Sequence, residues 1–279
     1  MIVMKSVKKV YRIFRYLILG RKFKGINAKN HALPNFIIIG AMKSGTTSLY
    51  NYICDHPSVI SAEYDEIGFF DSNYHLGLNW YRSLFPTKKQ LKNLEQKEGQ
   101  GITGEDTPFY FWNEEAANRI KDILPNIKLI IILRNPINRA YSEYHDKIQS
   151  GRITKSFEEY IQSELEDLKK NSPPPSKCNE DDSMLLRGIY SEQFEIWTKI
   201  FSRKQIIVLQ SEQLLEKPQK VLNDICYFLG LPEFNLKNKF SEKKKEYEDM
   251  NPQTREILRD FYHPHNEKLF RMIEKRYDW

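Results

Sequence analysis

From residue 34 onward the chain alternates between continuous apolar runs and amphipathic stretches. The runs at 35–39, 128–133 (Lys-Leu-Ile-Ile-Ile-Leu) and 205–209 (Gln-Ile-Ile-Val-Leu) are apolar at nearly every position, the pattern of parallel strands covered on both faces. Helical spacing predicts helices over 45–55, 113–123, 136–149, 156–169, 187–201, 217–229 and 252–276. This strand–helix–strand alternation predicts the α/β class, in three layers: a central, mainly parallel sheet flanked by helices. The stretch 171–183 is Pro-rich and polar and reads as a surface loop too short to divide domains. No internal repeat occurs.

A different pattern precedes residue 34. Val7, Val10, Tyr11, Phe14, Leu17 and Ile18 recur at helical spacing, and Lys5, Lys8, Lys9, Arg12 and Arg15 fall on the opposite face. Two readings stay open: a helix lying on an anionic membrane surface through residues 5–18, and a helix packing its apolar stripe on the body. No apolar run reaches the roughly 18–20 residues of a membrane span, and the short Leu17–Gly20 run is a poor signal-peptide core. The chain thus divides into a basic amphipathic segment, 1–33, and one domain over 34–279.

Charge supports that division. The net formal charge is +6, but residues 1–30 hold nine Lys/Arg and no acid, leaving 34 basic against 37 acidic residues in the remainder. A slightly acidic body argues against nucleic-acid binding. Cys54, Cys178 and Cys226 are widely spaced with no CxxC pair, which suggests neither a disulfide framework nor a zinc site, and Cys54 and Cys226 read most simply as buried thiols. A reducing, cytoplasmic location is expected, with peripheral contact at the inner membrane face if the first helix binds lipid.

The chemistry concentrates after the first strand. Gly40-Ala-Met-Lys43-Ser44-Gly45-Thr46-Thr47-Ser48 keeps the glycine spacing of the phosphate-cradling loop, but Thr46 stands where that motif has lysine. The lysine lies inside the loop, at Lys43. A strand, a tight glycine turn and a helix opening on hydroxyl residues converge backbone N–H groups and the helix dipole on an anion. The loop is P-loop-like, with a ligand other than a triphosphate. Lys43 can reach across one phosphate toward a leaving-group oxygen.

A second landmark, Leu133-Arg134-Asn135-Pro136-Ile137-Asn138-Arg139-Ala140-Tyr141-Ser142, follows the second run and opens a helix. Arg134 and Ser142 suit a separate phosphate, by a guanidinium fork and a hydroxyl. Two phosphate sites on βα turns point to a nucleotide phosphorylated at two places.

These paired elements resemble the sulfotransferases that use 3′-phosphoadenosine-5′-phosphosulfate (PAPS) and release the 3′,5′-bisphosphate (PAP). The likeness extends to Gly188-Ile-Tyr190, Trp197, Phe228-Leu-Gly-Leu-Pro232 and Tyr262-His-Pro-His-Asn-Glu-Lys-Leu-Phe270, covering about residues 34–276. It implies that Lys43, Ser44, Gly45, Thr46, Thr47 and Ser48 hold the 5′-phosphosulfate and Arg134 and Ser142 the 3′-phosphate, with Tyr190 and the loop lysines Lys243, Lys244 and Lys245 also on the donor. It further implies that Ser48 holds Lys43 away from the bridging oxygen until acceptor binds, and that no metal takes part.

Asp65-Glu66-Ile-Gly68-Phe69-Phe70 resembles the heparan-sulfate branch, whose Lys-Glu-x-His-Phe-Phe glutamate is the general base. The resemblance carries that role to Glu66, whose pKa burial against Phe69 and Phe70 would raise. Asp65 and Gly68 replace the branch's lysine and histidine, and Asp106 stands where it has lysine; these departures leave the donor reading intact and the acceptor open. His75, His145, His263 and His265 are alternative bases. Tyr64, Phe69, Phe70, Trp80, Tyr81, Phe109, Tyr110 and Trp112 offer rings for stacking on a saccharide acceptor. The expected function is sulfuryl transfer to a hydroxyl or amine, with a small-molecule kinase and a catalytically silent nucleotide-binding scaffold as the alternatives.

Overall fold

The computed structural model describes residues 27–170, 183–236 and 248–279. Its centre is a five-stranded sheet in the order β2-β3-β1-β4-β5, formed by Phe36–Gly40 (β1), Val59–Ser61 (β2), Ile102–Asp106 (β3), Lys128–Leu133 (β4) and Ile206–Gln210 (β5). Every neighbouring pair is parallel. The α/β expectation therefore stands, with an all-parallel sheet. The three apolar runs became β1, β4 and β5.

β2 and β3 were not anticipated. β2 has three residues, and β3 reads Ile-Thr-Gly-Glu-Asp, with no apolar run to announce it. Its glycine has a packing reason: a Cβ at Gly104 would lie 2.4 Å from the Phe36 ring. Glu105 and Asp106, both buried, end the strand beneath the site.

Successive residues of β1 and β4 point to opposite faces. Ile37, Ile39, Leu129, Ile131 and Leu133 enter one core, whereas Phe36, Ile38, Ile130 and Ile132 enter the other. The second core is closed by Thr46–Cys54 (α1) and Pro218–Leu229 (α9). The first is closed by Glu114–Ile123 (α4), Tyr190–Ile200 (α7) and the end of Pro252–Ile273 (α10). The remaining helices are Leu78–Arg82 (α2), Lys88–Glu98 (α3), Pro136–Gln149 (α5), Phe157–Lys170 (α6) and Ser211–Glu216 (α8), of which α2, α3 and α8 were not anticipated. Two predicted ends move inward: α7 begins at Tyr190, after a 3-10 turn over Leu186–Gly188, and α10 stops at Ile273, where Glu274 adopts φ 54°.

A third cluster joins α5, α6, residues 184–189 and α10. Here Gly188 and Tyr262, far apart in sequence, interlock. A Cβ at Gly188 would lie 2.5 Å from the Tyr262 hydroxyl, which donates to the Leu185 carbonyl at 3.0 Å. Cys226 is buried as expected, but Cys54 is only half-buried, because it falls in the last turn of α1. Cys178 and the amphipathic segment through residue 26 lie outside the described residues. Among the described residues, no helix is long and apolar enough to cross a membrane.

The chain leaves β1 for β2 and β3 on one side, then crosses to β4 and β5 on the other. The carboxyl end of β1 is therefore the place where strand order reverses, where open α/β sheets form their ligand crevice.

Candidate functional site

The loop after β1 is held by Ala41 N–H donating to the Ile132 carbonyl (2.7 Å) and Ser44 N–H to the Ala41 carbonyl (3.2 Å). Gly45 then turns the chain at φ +90°, a conformation that favours glycine, and serves as the N-cap of α1. It has no side chain to cap the helix, so the first-turn N–H groups of Thr46, Thr47 and Ser48 remain available to an anion. Ser48 Oγ is buried without a hydrogen-bond partner among the described residues. An uncapped helix start with an orphaned hydroxyl inside it fits a phosphate group.

The loop after β4 is built by Asn135, whose side chain accepts from Ile137 N–H (3.0 Å) and caps α5, with Pro136 as its first residue. Asn135 N–H donates to Glu212 Oε1 (2.9 Å). Arg134 joins the two loops: its Nη1 donates to the Lys43 carbonyl at 3.2 Å, while its own carbonyl accepts from the Tyr190 hydroxyl at 2.9 Å. Ser142 is buried two turns along α5. The structure thus brings Lys43, Ser44, Gly45, Thr46, Thr47, Ser48, Arg134, Ser142 and Tyr190 to the crevice at β1 and β4. Lys243, Lys244 and Lys245 lie outside the described residues.

Lys43 sits at φ +66°, and its ammonium pairs with Asp146 Oδ1 at 3.2 Å, one turn beyond Ser142 on α5. Ser48 does not hold it here. Asp146 is about half exposed, and a pair of this kind is worth about 0–1 kcal/mol. An entering phosphate can therefore displace it. No sequence signal marked Asp146.

Glu66 lies on the other side of β1, in a turn where it adopts φ +51° and donates its N–H to the Asp106 carbonyl at 2.9 Å. One expectation is corrected here. Glu66 is exposed, and Phe69 and Phe70 do not cover it. Phe69 stacks on Tyr81 at 4.4 Å, and Phe70 meets Tyr81 and Tyr110 edge-on. The proposed stacking surface shrinks for the same reason: Phe69, Phe70, Trp80, Tyr81 and Tyr110 are core, leaving Tyr64, Phe109 and Trp112 partly exposed. Among the alternative bases, His145 packs edge-on against Tyr141 and Tyr144, and burial lowers the pKa of His265.

Two buried carboxyl groups lie below the Glu66 turn. Glu105 accepts from the Tyr81 hydroxyl (2.5 Å) and the Thr107 hydroxyl (2.9 Å), and burial pushes its pKa up to about 8. Asp106 has neither carboxylate oxygen hydrogen-bonded among the described residues; burial, then the charges of Asp65 and Glu66, push it up to about 7. A buried ionic cluster also braces the second loop. Glu143 pairs with Arg139 (2.7 Å), Arg187 (2.6 Å) and Lys147 (3.4 Å), while Arg139 also donates to the Met184 carbonyl. Burial would raise the Glu143 carboxyl, but the three cations hold it below its ordinary value. The i, i+4 spacings of Arg139, Glu143 and Lys147 were a readable signal; Arg187 was not.

The sheet, the crevice and two linked anion loops define a nucleotide-dependent group-transfer protein of the α/β class. The sulfotransferase domain family matches residues 33–271, and the chain belongs to that family. It is therefore a sulfotransferase of the kind that uses PAPS as donor. It is 32% identical over 92% of its length to a mouse heparan sulfate glucosamine 3-O-sulfotransferase 3B1, spanning 67% of that protein. It is 27% identical over 91% of its length to a membrane-associated sulfotransferase, kil1, of Dictyostelium discoideum, spanning 68% of it. It spans only 30% of a mouse bifunctional heparan sulfate N-deacetylase/N-sulfotransferase 4, at 29% identity over 87% of its own length. A crystal structure of a sulfotransferase from Alicyclobacillus acidocaldarius superposes with a TM-score of 0.66 at 28% identity, covering 88% of this chain and 98% of that one.

Proposed function

We propose that residues 34–279 form one domain that transfers the sulfuryl group of PAPS to a hydroxyl or amine of a saccharide or glycoconjugate, leaving PAP. The observation that carries the donor assignment is the hydrogen bond from Arg134 to the Lys43 carbonyl, which makes the two anion loops one site. Thr46, Thr47 and Ser48 would receive the 5′-phosphate at the start of α1, and Arg134 and Ser142 the 3′-phosphate. Lys243, Lys244 and Lys245 are proposed donor contacts on sequence grounds alone. The saccharide acceptor is argued from the heparan sulfate relatives and from Tyr64, Phe109 and Trp112, the rings left partly exposed near the crevice.

Glu66 is the proposed general base. It takes the acceptor proton as the new O–S or N–S bond forms and the S–O bond to the phosphate breaks. Lys43, released from Asp146, and the loop N–H groups stabilise the charge gathering on the departing phosphate, so no metal is required by this scheme. Titration calorimetry with PAP, and with ATP plus Mg²⁺, tests the donor site: tight PAP binding alone is expected, and preference for ATP with Mg²⁺ refutes it. Radiolabelled sulfate transfer to a saccharide panel tests the reaction, with Glu66→Gln expected to bind PAP normally and turn over nothing.

The proposed location is cytoplasmic, with peripheral contact at the inner membrane face through residues 5–18. Its support is the basic amphipathic pattern and the membrane-associated relative. Flotation of the full chain with anionic but not neutral vesicles is the expected outcome, and absence of flotation with both refutes it.

A further inference from the structure

At the end of β4, one peptide unit is gripped from both sides. The Arg134 carbonyl accepts from the Tyr190 hydroxyl, and the N–H of the same peptide, on Asn135, donates to Glu212 Oε1, each at 2.9 Å. In a planar trans peptide these two groups point in opposite directions, so two partners fix the rotation of the plane. That plane lies between the residues read as 3′-phosphate ligands. On one side is the Arg134 side chain, which reaches the Lys43 carbonyl at 3.2 Å. On the other is Asn135, whose side chain caps α5, the helix that carries Ser142.

The sheet delivers Glu212 to this place. Gln210 of β5 is level with Leu133 of β4, and each chain runs two residues further, to Glu212 and to Asn135. Ser211, just before Glu212, faces the first loop, since a Cβ at Gly45 would lie 3.8 Å from its hydroxyl. The opposite jaw is held as firmly. Tyr190 is 1% exposed, with the rings of Phe111 and Trp279 centred 6.5 and 6.0 Å away. Charge does not account for Glu212. A carboxylate bonded to a loop that receives an anion repels that anion, and its second oxygen, Oε2, is buried with no hydrogen-bond partner among the described residues. What Glu212 supplies is a strong acceptor for a single N–H.

We propose that Glu212 is a positioning residue for the 3′-phosphate: with the Tyr190 hydroxyl opposite, it locks the Arg134–Asn135 peptide plane and so presets Arg134 and Ser142 as one anion site. This rests on the reading of those two residues as the 3′-phosphate ligands. The plane sets ψ of Arg134 and φ of Asn135, the two torsions that aim the guanidinium and the start of α5. A site already ordered before the nucleotide enters does not spend binding energy on ordering itself. Losing the acceptor frees the plane to rotate and leaves the Asn135 N–H without its partner. The effect is confined to the second loop, so it falls on the 3′-phosphate and not on the 5′-phosphate.

The test compares two nucleotides that differ only in the 3′-phosphate. The full chain is titrated by calorimetry with PAP and with adenosine 5′-phosphate. In Glu212→Ala, PAP affinity is expected to fall about tenfold or more while adenosine 5′-phosphate affinity stays within about twofold, which also shows that the variant is folded. Glu212→Gln keeps an acceptor oxygen and removes the repelling charge, so it should bind PAP at least as well as wild type. If Glu212→Ala does not fold, Glu212→Asp takes its place: the charge stays but the oxygen is withdrawn by one methylene, and the same selective loss is expected. Unchanged PAP affinity, an equal loss for both nucleotides, or a loss in Glu212→Gln as large as in Glu212→Ala overturns the proposal. The 3′-phosphate assignment itself fails separately, if wild type binds PAP no better than adenosine 5′-phosphate.

Discussion

Replacing Glu143 by glutamine is the sharpest probe of how the second loop is held. The wild-type carboxylate is 3% exposed and compensates Arg139 and Arg187 at 2.7 and 2.6 Å, with Lys147 at 3.4 Å. An amide in its place accepts at one oxygen only and removes the negative charge that Arg139, Arg187 and Lys147 share. Breaking a buried pair by removing one partner costs about 3–5 kcal/mol. At the roughly 2–4 °C per kcal/mol typical of chains this large, Tm should fall by about 6 °C or more. The pH dependence supplies an independent sign. The Glu143 carboxyl is lower in the folded than in the unfolded state, so its contribution is fully present above the unfolded value of about 4.3 and is lost as pH falls through the folded one. Urea denaturation at pH 7 and at successively lower pH should therefore show wild type and Glu143→Gln converging toward acid. A variant within about 1 kcal/mol of wild type at pH 7, or a gap that does not narrow in acid, refutes the account.

Lys43→Ala should leave PAP binding measurable but lower kcat by about 10²–10³-fold, the loss typical of one donor to a developing oxyanion, read by sulfate transfer. Gly188→Ala should cost about 1–3 kcal/mol in urea denaturation, because its Cβ would lie 2.5 Å from the Tyr262 hydroxyl. The pH profile of Asp106→Asn should be opposite in sign to that of Glu143→Gln. The Asp106 carboxyl is raised to about 7, so wild type loses stability between about pH 4 and 7 as the unfolded chain releases a proton the folded chain keeps. The variant should match wild type near pH 4 and exceed it at pH 8, and equal midpoints at both would contradict the burial argument.

The two loops that meet at the crevice were legible because each is written in a short, local pattern. Gly40 to Ser48 and Arg134 to Ser142 each lie at a strand end that an apolar run announced. β3 was hidden because its residues face unusual surroundings: Gly104 yields to the Phe36 ring, and Glu105 and Asp106 are carboxyls in a core position. Local propensity reads such a segment as loop. The aromatic residues between 64 and 112 misled for a related reason, since ring content does not say which rings face one another and which face a ligand. Asp146 and Arg187 reach their partners only through the packing of α5 against distant chain, so neither left a signal in its own neighbourhood.

The reversal of strand order at β1 has a consequence for how such an enzyme can change. The groups assigned to the nucleotide lie toward β4, whereas Glu66, Asp106 and the partly exposed Tyr64 lie toward β3 and β2. One strand serves as a partition between two chemistries that meet only at its end. Substitutions on the β2–β3 flank can therefore redirect the enzyme to another acceptor while the donor's affinity stays where it was. New acceptors become accessible by remodelling half a crevice, with the costly half inherited intact.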